Sequence, residues 1–169
     1  MADEGSAGGA ARELAGEILG VLRASGRTVA VAESLTGGLV AAALTEAPGS
    51  SAAFRGGIVA YATELKAKLL GVDPRLLAEH GAVYPPVAAA MAAGVRERLG
   101  ATIGVATTGV AGPESSDGHP PGTVHIAVSL AGDTVVRTIA LPGDRDQVRR
   151  LTVERALGLL LGRLREDSR

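Results

Sequence analysis

Short apolar runs rich in β-branched residues alternate along this chain with longer Ala- and Leu-rich segments, and this alternation restricts the fold more than any other feature. Short β-branched runs are typical of strands, whereas longer segments with helical spacing are typical of helices. The runs predicted as strands are 28–32, 57–61, 102–107, 124–130 and 134–141, the last two joined as a hairpin by the turn at 131–133. The alternation predicts an α/β fold with helices on both faces of a largely parallel sheet, in which the hairpin makes one strand antiparallel.

Helix start and stop signals occupy the intervals between these runs. The predicted helices are one ended by Gly26, one over 36–46, one over 65–70, two begun by Asp73-Pro74 and Pro85-Pro86, and a last one from about Asp146. Residues 1–9 are small, polar and Gly-rich, which predicts a disordered tail. No repeat or linker interrupts the remainder, so residues 10–166 are predicted to form one domain.

The charge balance and the scarcity of aromatic residues argue against nucleic-acid binding. The chain carries 17 basic and 18 acidic side chains, with two Tyr, one Phe and no Trp. It therefore lacks the positive field and the stacking groups that such binding uses. The absence of cysteine excludes disulfides and cysteine-bound zinc. No metal site is predicted, because His80, His119 and His125 are scattered and only His119 has an acidic neighbour, Asp117, in the same loop.

The N-terminus and the hydropathy predict a cytoplasmic protein with no contact to the membrane. The first residues lack the basic flank and apolar run of a secretion signal. No apolar stretch approaches the roughly 18 residues that a membrane-spanning helix requires. Because the domain is small and Ala-rich with apolar helices, we also expect a homo-oligomer.

Four polar segments follow predicted strands and should lie at one edge of the sheet. Consecutive parallel strands joined by helices end at the same edge, where open α/β folds bind ligands. These segments begin at Ser34, at Tyr61, at Thr108 and at Gly143. The segment that begins at Gly143 lies at this edge if the first strand of the hairpin runs away from the edge and the second strand returns to it.

The first segment is a strand, a Gly-rich turn and a helix start, with the sequence Glu33-Ser34-Leu35-Thr36-Gly37-Gly38. Glycines let a ligand approach the backbone, and free N–H groups at a helix start suit a phosphate. We therefore expect Glu33, Thr36, Gly37 and Gly38 to contact a substrate, with Ser34 as a candidate nucleophile. From this segment alone, capping of the helix by Ser34 or Thr36 is the more common alternative.

The second segment runs from Tyr61 to Lys66 and contains a candidate base. A lysine activates a serine only when its amine is neutral, a state that burial favours and that arginine cannot reach. The chain has only two lysines, Lys66 and Lys68, and both lie near the predicted edge. By composition alone, two solvated helix lysines remain the simpler interpretation.

The third and fourth segments offer groups for anions. The Gly-rich turn over 107–113, with Thr108, Gly109 and Gly112, could present backbone N–H groups to an oxyanion or a phosphate, or be an ordinary loop. Arg145 could bind a phosphate or carboxylate through two hydrogen bonds. Alternatively, Asp144 or Asp146 caps the last helix and the arginines behind it are solvated.

Taken together, these segments resemble the C-terminal domain of the CinA (competence/damage-inducible protein A) family, whose stand-alone members include nicotinamide mononucleotide deamidases. The matching sequences occur in family order: AESLTGGLVAAALTEAPGSS at 32–51, FRGGIVAYATELKAKLLGV at 54–72, HGAV at 80–83, ATTGVAGP at 106–113, PGTVHIAV at 121–128 and PGDRDQVRRLTVERAL at 142–157. The chain departs from the commoner family pattern at Leu35, Ala62-Thr63, Tyr84 and the loop 114–120.

The resemblance implies a three-layer α/β/α sandwich with a mixed five-stranded sheet and a cofactor-independent amidohydrolase. Its substrate would be nicotinamide mononucleotide, converted to nicotinic acid mononucleotide and ammonia. On this resemblance Ser34 is the nucleophile, Lys66 its base and Tyr61 a supporting hydroxyl. Thr108, Gly109 and Gly112 would line the substrate, and Arg145 would contact an anion. The alternative of another class is a non-catalytic nucleotide-binding or competence-associated interaction module with the same fold.

Overall fold

A computed structural model describes residues 4–167 and shows five strands and six α-helices. The strands are β1 (Val29–Glu33), β2 (Phe54–Val59), β3 (Ile103–Gly109), β4 (Thr123–Leu130) and β5 (Asp133–Ala140). The helices are α1 (Glu4–Ser25), α2 (Leu39–Glu46), α3 (Thr63–Leu70), α4 (Pro74–His80), α5 (Pro85–Arg98) and α6 (Arg145–Glu166). A 3-10 turn at Ser50–Ala52 precedes β2.

The strands form one mixed sheet in the order β2-β1-β3-β4-β5. β1 lies at its centre, parallel to β2 on one side and to β3 on the other. β4 is antiparallel to both of its neighbours, β3 and β5. The predicted five-stranded, mostly parallel sheet with one antiparallel strand is therefore confirmed. β1, β2, β3 and β5 all end at the same edge.

Helices cover both faces of this sheet, which confirms the three-layer α/β/α sandwich. Along β1 successive side chains point to opposite faces. Val29 and Val31 face a core rich in Leu and Ile from α1, α2 and α6, whereas Ala30 and Ala32 face α5. The second core contains fewer buried residues, and the sheet presents mainly alanine to it.

Two glycines let α5 approach its neighbours closely. A Cβ added at Gly94 of α5 would collide with the carbonyl oxygen of Leu70 at the end of α3. A Cβ added at Gly104 of β3 would collide with the carbonyl oxygen of Ala92. Both positions therefore require the absence of a side chain, and they fix α5 between α3 and the sheet.

Three elements begin three or more residues away from the predicted position. α1 begins at Glu4 and so includes residues 4–9, which were predicted as tail, while residues 1–3 lie outside the described residues. α2 begins at Leu39 rather than at residue 36, because Gly37 and Gly38 both have positive φ angles, 57° and 103°, and form a turn first. β2 spans Phe54–Val59 rather than 57–61, because its ladder with β1 begins at Val29.

No helix within residues 4–167 has the length and apolar character needed to cross a lipid bilayer.

Candidate functional site

A cavity of about 600 Å³ opens at the edge where β1, β2 and β3 end and α6 begins. All four polar segments expected at this edge contribute to its wall. The residues lining it are Ser34, Leu35, Tyr61, Thr63, Lys66, Ala82, Val83, Thr108–Asp117 and Arg145. The strand-end argument from the sequence therefore predicted correctly that these segments meet at one edge of the sheet.

Ser34 and Lys66 meet in this cavity. The Nζ of Lys66 lies 3.1 Å from the Oγ of Ser34. Ser34 directly follows β1 and is 8% exposed, so its hydroxyl is at the cavity wall rather than in bulk solvent. Lys66 is only 1% exposed, although it was predicted by composition alone to be a solvated helix lysine. The structure thus favours the reactive interpretation of this pair.

Two backbone carbonyls hold the Lys66 amine in place. Its Nζ lies 2.7 Å from the carbonyl oxygen of Ala60 and 3.3 Å from that of Tyr61. A neutral amine has two N–H bonds and one lone pair. When the carbonyls accept both N–H bonds, the lone pair points at the third neighbour, the Ser34 hydroxyl. The geometry therefore orients neutral Lys66 as an acceptor for the Ser34 proton.

Burial of Lys66 also favours the neutral form of its amine on electrostatic grounds. Desolvation lowers the pKa of Lys66 from its usual 10.5 to about 8, and the charges of Asp117 and Glu64 oppose this effect. An ammonium taken out of water loses hydration that two carbonyls replace only partly. Near pH 8 about half of the molecules therefore carry the basic form.

Backbone hydrogen bonds fix the turn that carries Ser34. The N–H of Ser34 donates to the carbonyl of Thr107 at 3.1 Å, and the N–H of Gly37 donates to the carbonyl of Ser34 at 3.0 Å. The hydroxyls of Thr36 and Thr107 lie 2.8 Å apart, both buried. Thr36 therefore joins β1 to β3 and lies outside the cavity wall, which corrects its prediction as a substrate contact.

Glu33 is a structural residue rather than a substrate contact. Its carboxylate is 1% exposed and accepts hydrogen bonds from the N–H groups of Val40 at 2.8 Å and Ala41 at 3.1 Å, in the first turn of α2. These are N–H groups that a phosphate at this helix start would use. The Glu33 carboxylate already occupies these N–H groups, which argues against the predicted phosphate position at Gly37-Gly38.

Arg149 covers the same turn from α6, and the sequence analysis did not single it out. Its Nε donates to the carbonyl of Leu35 at 3.0 Å, and its guanidinium lies beside Gly37. Gly37 is exposed and Gly38 is partly exposed, but neither of them lines the cavity. Nothing in the local sequence indicates this contact, because the two residues are more than 110 positions apart.

Arg145 and Tyr61 bridge the cavity mouth. The guanidinium of Arg145 donates to the carbonyl of Gly112 at 2.8 Å and to the hydroxyl of Tyr61 at 3.0 Å. Tyr61 is 60% exposed. Its carbonyl contacts the Lys66 amine and its hydroxyl contacts Arg145. Because Asp144 caps α6 through a capping box with Gln147, Arg145 projects from a fixed helix start.

Thr108, Gly109 and Gly112 line the cavity as predicted, although the Thr108 hydroxyl is already engaged. It donates to the carbonyl of Ala82 at 2.8 Å. At Gly109 a Cβ would lie 2.5 Å from the carbonyl oxygen of Thr123, so this wall is bare backbone. The segment therefore shapes the cavity through its main chain.

Asp117 is the cavity residue that the sequence analysis considered only as a neighbour of His119. Its Oδ2 accepts a hydrogen bond from the N–H of Ala82 at 2.9 Å, and its φ of 51° is left-handed. His119 instead packs edge-on against His125, at a centroid distance of 6.4 Å. Among residues 4–167 no three His, Asp or Glu side chains converge as metal ligands.

His125 is buried behind Thr108, its partner in the β3–β4 ladder. Its Nδ1 lies 2.9 Å from the hydroxyl of Thr138. Burial, together with nearby His119, lowers the pKa of His125, so the ring is neutral at neutral pH. It does not line the cavity.

Comparison with known families gives one match over most of the chain. The model described as "CinA C-terminal domain" matches residues 11–164. A "CinA-like protein" of Frankia casuarinae is 58% identical over 153 residues, which are 90% of this chain and 35% of that protein. One of the same name from Parasynechococcus marenigrum is 49% identical, over 92% of this chain and 38% of that protein. This chain thus spans little more than a third of these curated relatives.

Solved structures share the fold over nearly their whole length. A CinA superfamily protein from Klebsiella pneumoniae superimposes with a TM-score of 0.89 at 34% identity, covering 92% of this chain and 98% of that one. The competence/damage inducible protein CihA from Agrobacterium tumefaciens gives a TM-score of 0.87 at 38% identity, with coverages of 90% and 94%.

Proposed function

The chain belongs to the CinA C-terminal domain family, and we propose that it is an amidohydrolase that uses Ser34 and Lys66 to convert nicotinamide mononucleotide into nicotinic acid mononucleotide and ammonia. The observation that carries this proposal is the 3.1 Å contact between the Lys66 amine and the Ser34 hydroxyl, with two carbonyls directing the amine. The substrate follows from the family resemblance, and the cavity volume is in the range of small-molecule sites.

In the first half of the reaction, the Oγ of Ser34 forms a bond to the carboxamide carbon. Neutral Lys66 takes the hydroxyl proton, and the carbonyl electron pair moves onto oxygen. The N–H of Leu35, the residue after the nucleophile, donates no hydrogen bond to any described residue, and Leu35 lines the cavity. This N–H is our candidate donor to the oxyanion; losing one such donor typically costs about 3 kcal/mol.

In the second half, the tetrahedral intermediate collapses and its C–N bond breaks. The Lys66 ammonium gives its proton to the departing nitrogen, which leaves as ammonia, and Ser34 remains as the ester of the pyridine carboxylic acid. Water then attacks the ester, Lys66 takes a proton from that water, and the proton returns to the Ser34 oxygen as the acid departs. Each step uses the same pair of groups, so no cofactor is required.

Arg145 is the proposed ligand of the substrate phosphate. Of the two positions considered for it, the start of α2 is occupied by the Glu33 carboxylate. Arg145 lies at the cavity mouth and donates to the Tyr61 hydroxyl, a neutral acceptor that a phosphate oxygen can replace with a stronger, charge-assisted bond. The carboxamide would then lie inward at Ser34 and the phosphate outward at Arg145.

The test is ammonia release from nicotinamide mononucleotide by the wild type, Ser34→Ala and Lys66→Ala, each with and without chelator. Lys68→Ala is the matched control, because Lys68 lies on the same helix, is exposed and does not line the cavity. We expect chelator-insensitive turnover that Ser34→Ala and Lys66→Ala abolish and Lys68→Ala leaves intact. Binding of the nucleotide by the wild type without any turnover would instead support the non-catalytic binding module.

A further inference from the structure

The cavity carries four charged side chains among the described residues, two of each sign. Lys66 and Arg145 are the cations, and Glu114 and Asp117 are the anions. Arg145 is at the mouth, bridged to Tyr61, whereas the charge of Asp117 acts on the Lys66 amine. The cavity therefore presents charges of both signs to a bound molecule.

Asp117 is held in the wall without a cationic partner. Its Oδ2 accepts from the N–H of Ala82, which ties the loop between β3 and β4 to the segment before α5. No Lys, Arg or His in residues 4–167 forms an ion pair with it, although eight ion pairs occur elsewhere in that part of the chain. The side chain is exposed to the cavity and can therefore face a ligand.

The form of Lys66 that starts the reaction carries no positive charge. Lys66 acts as a base only in its neutral form, so in that state it offers no positive charge to Asp117 in the shared cavity. A ligand whose amide carbon reaches Ser34 must place the ring bearing that amide in the cavity whose wall includes Asp117. A positive charge on this ring would be attracted to Asp117, and it would also oppose protonation of Lys66.

We propose that Asp117 makes the site selective for carboxamides on a positively charged ring, such as an N-substituted pyridinium, over the same carboxamide on a neutral ring. This selectivity rests on the proposed function. Asp117 acts as a specificity determinant, and its contact with Ala82 is what fixes its position.

Reduced nicotinamide mononucleotide provides the comparison, because it keeps the carboxamide, ribose and phosphate and lacks the ring charge. Calorimetry on Ser34→Ala protein, which cannot turn over the substrate, measures the Kd of each nucleotide at pH 8. The quantity compared is the Kd of the reduced nucleotide divided by the Kd of the oxidised one. We expect Asp117→Asn in this background to lower the ratio about fivefold, as expected for one charge pair near water. Asn keeps an acceptor for the Ala82 N–H and tolerates the left-handed backbone.

Glu64→Gln is the matched control. Glu64 also raises the pKa of Lys66, yet it is exposed on α3 and does not line the cavity. In protein that retains Ser34, both substitutions should shift the pH dependence of turnover toward lower pH, because each removes a negative charge that raises the pKa of Lys66. In the Ser34→Ala background, only Asp117→Asn should change the Kd ratio. Asp117→Ser, which also removes the charge, must repeat the result.

An unchanged ratio in Asp117→Asn and Asp117→Ser would overturn the selectivity while leaving the amidohydrolase intact, provided that the wild type releases ammonia. An equal fall of the Kd ratio in Glu64→Gln would also overturn the selectivity, since the effect would then come from the net charge of the protein rather than from Asp117. Absence of both nucleotide binding and ammonia release would overturn the proposed function and this inference with it.

Discussion

The Nζ of Lys66 and the Oγ of Ser34 are 3.1 Å apart although 32 residues separate them in the chain. Ser34 follows the central strand and Lys66 lies on the helix after the neighbouring parallel strand. The pair is therefore brought together by the β1–β2 ladder, in which Glu33 is opposite Val59. Changes to either side chain should affect chemistry more than folding.

Replacing Lys66 with Met should remove the base while keeping an apolar chain of similar length in the buried position. We expect kcat to fall by about 10²- to 10⁴-fold, the usual contribution of general acid–base catalysis. Ammonia release under saturating substrate measures this, with Lys68→Met as control. A Lys66→Met protein that keeps more than a tenth of wild-type kcat would show that another group accepts the proton.

The pH dependence of kcat/KM should follow the neutral fraction of Lys66. Since the pKa of Lys66 is lowered to about 8, activity should rise about tenfold per pH unit well below pH 8 and level off above it. Initial rates between pH 6 and 10 at subsaturating substrate measure the curve. A plateau that begins near pH 6 would contradict assignment of this limb to Lys66.

Lys66 should also make the stability of the protein depend on pH. Its pKa is about 8 in the folded state and 10.5 in the unfolded chain, so between these values the unfolded state binds more protons. The free energy of unfolding of the wild type should therefore rise with pH across this window, by at most about 1.4 kcal/mol per pH unit, relative to Lys66→Met. Urea denaturation of both proteins at pH 8, 9 and 10 measures this difference in the free energy of unfolding. The difference should not change with pH if Lys66 is not desolvated.

Glu33→Gln should destabilise the protein without weakening substrate binding. One amide oxygen can replace only part of a carboxylate that accepts from Val40 and Ala41, and the amide NH₂ would face a donor. We expect a loss of about 1–3 kcal/mol in the free energy of unfolding. Denaturant titration and KM are the measurements, with Glu46→Gln at the other end of α2 as control. A large rise in KM at unchanged stability would restore Glu33 as a substrate contact.

Arg145→Ala should weaken binding of the mononucleotide more than binding of the corresponding nucleoside. The difference should be tenfold or more, since a charge-assisted contact to phosphate is lost. Kd values for nicotinamide mononucleotide and nicotinamide riboside measure it in the Ser34→Ala background. Arg150→Ala is the control, because Arg150 pairs with Asp146 on the same helix and does not line the cavity. Equal losses for both ligands would place the phosphate elsewhere.

The positions of the strand ends allowed the sequence to predict which segments share one edge of the sheet. The sequence did not predict which side chains at this edge form hydrogen bonds within the protein. The alternation of strands and helices predicted the edge that the segments of Ser34 and Lys66 share, whereas the roles of the two residues were implied by the family resemblance. Glu33 was misassigned because α2 starts only after the Gly37-Gly38 turn, and that delay places its first N–H groups over the carboxylate. A glycine pair does not reveal from sequence where the following helix begins.

Asp117 was not found as a site residue for a different reason. It lies in a loop without periodicity, and its position depends on the N–H of Ala82, 35 residues away. Contacts of this kind have no local sequence signal, because the partner is a backbone group that every residue type except proline possesses. Arg149, which reaches Leu35 and Gly37 from α6, was missed for the same reason.

The carbonyls that hold the Lys66 amine belong to the backbone, so they are insensitive to amino-acid substitution during evolution. Main-chain oxygens of Ala60 and Tyr61 remain whatever side chain occupies these positions, so point mutation cannot delete them. Asp117 and Glu114, by contrast, are side chains on a surface loop and can be exchanged in one step. If the proposed function and selectivity hold, reactivity and substrate choice are encoded on separable parts of the chain, and grafting of this loop would alter the preference for the substrate ring.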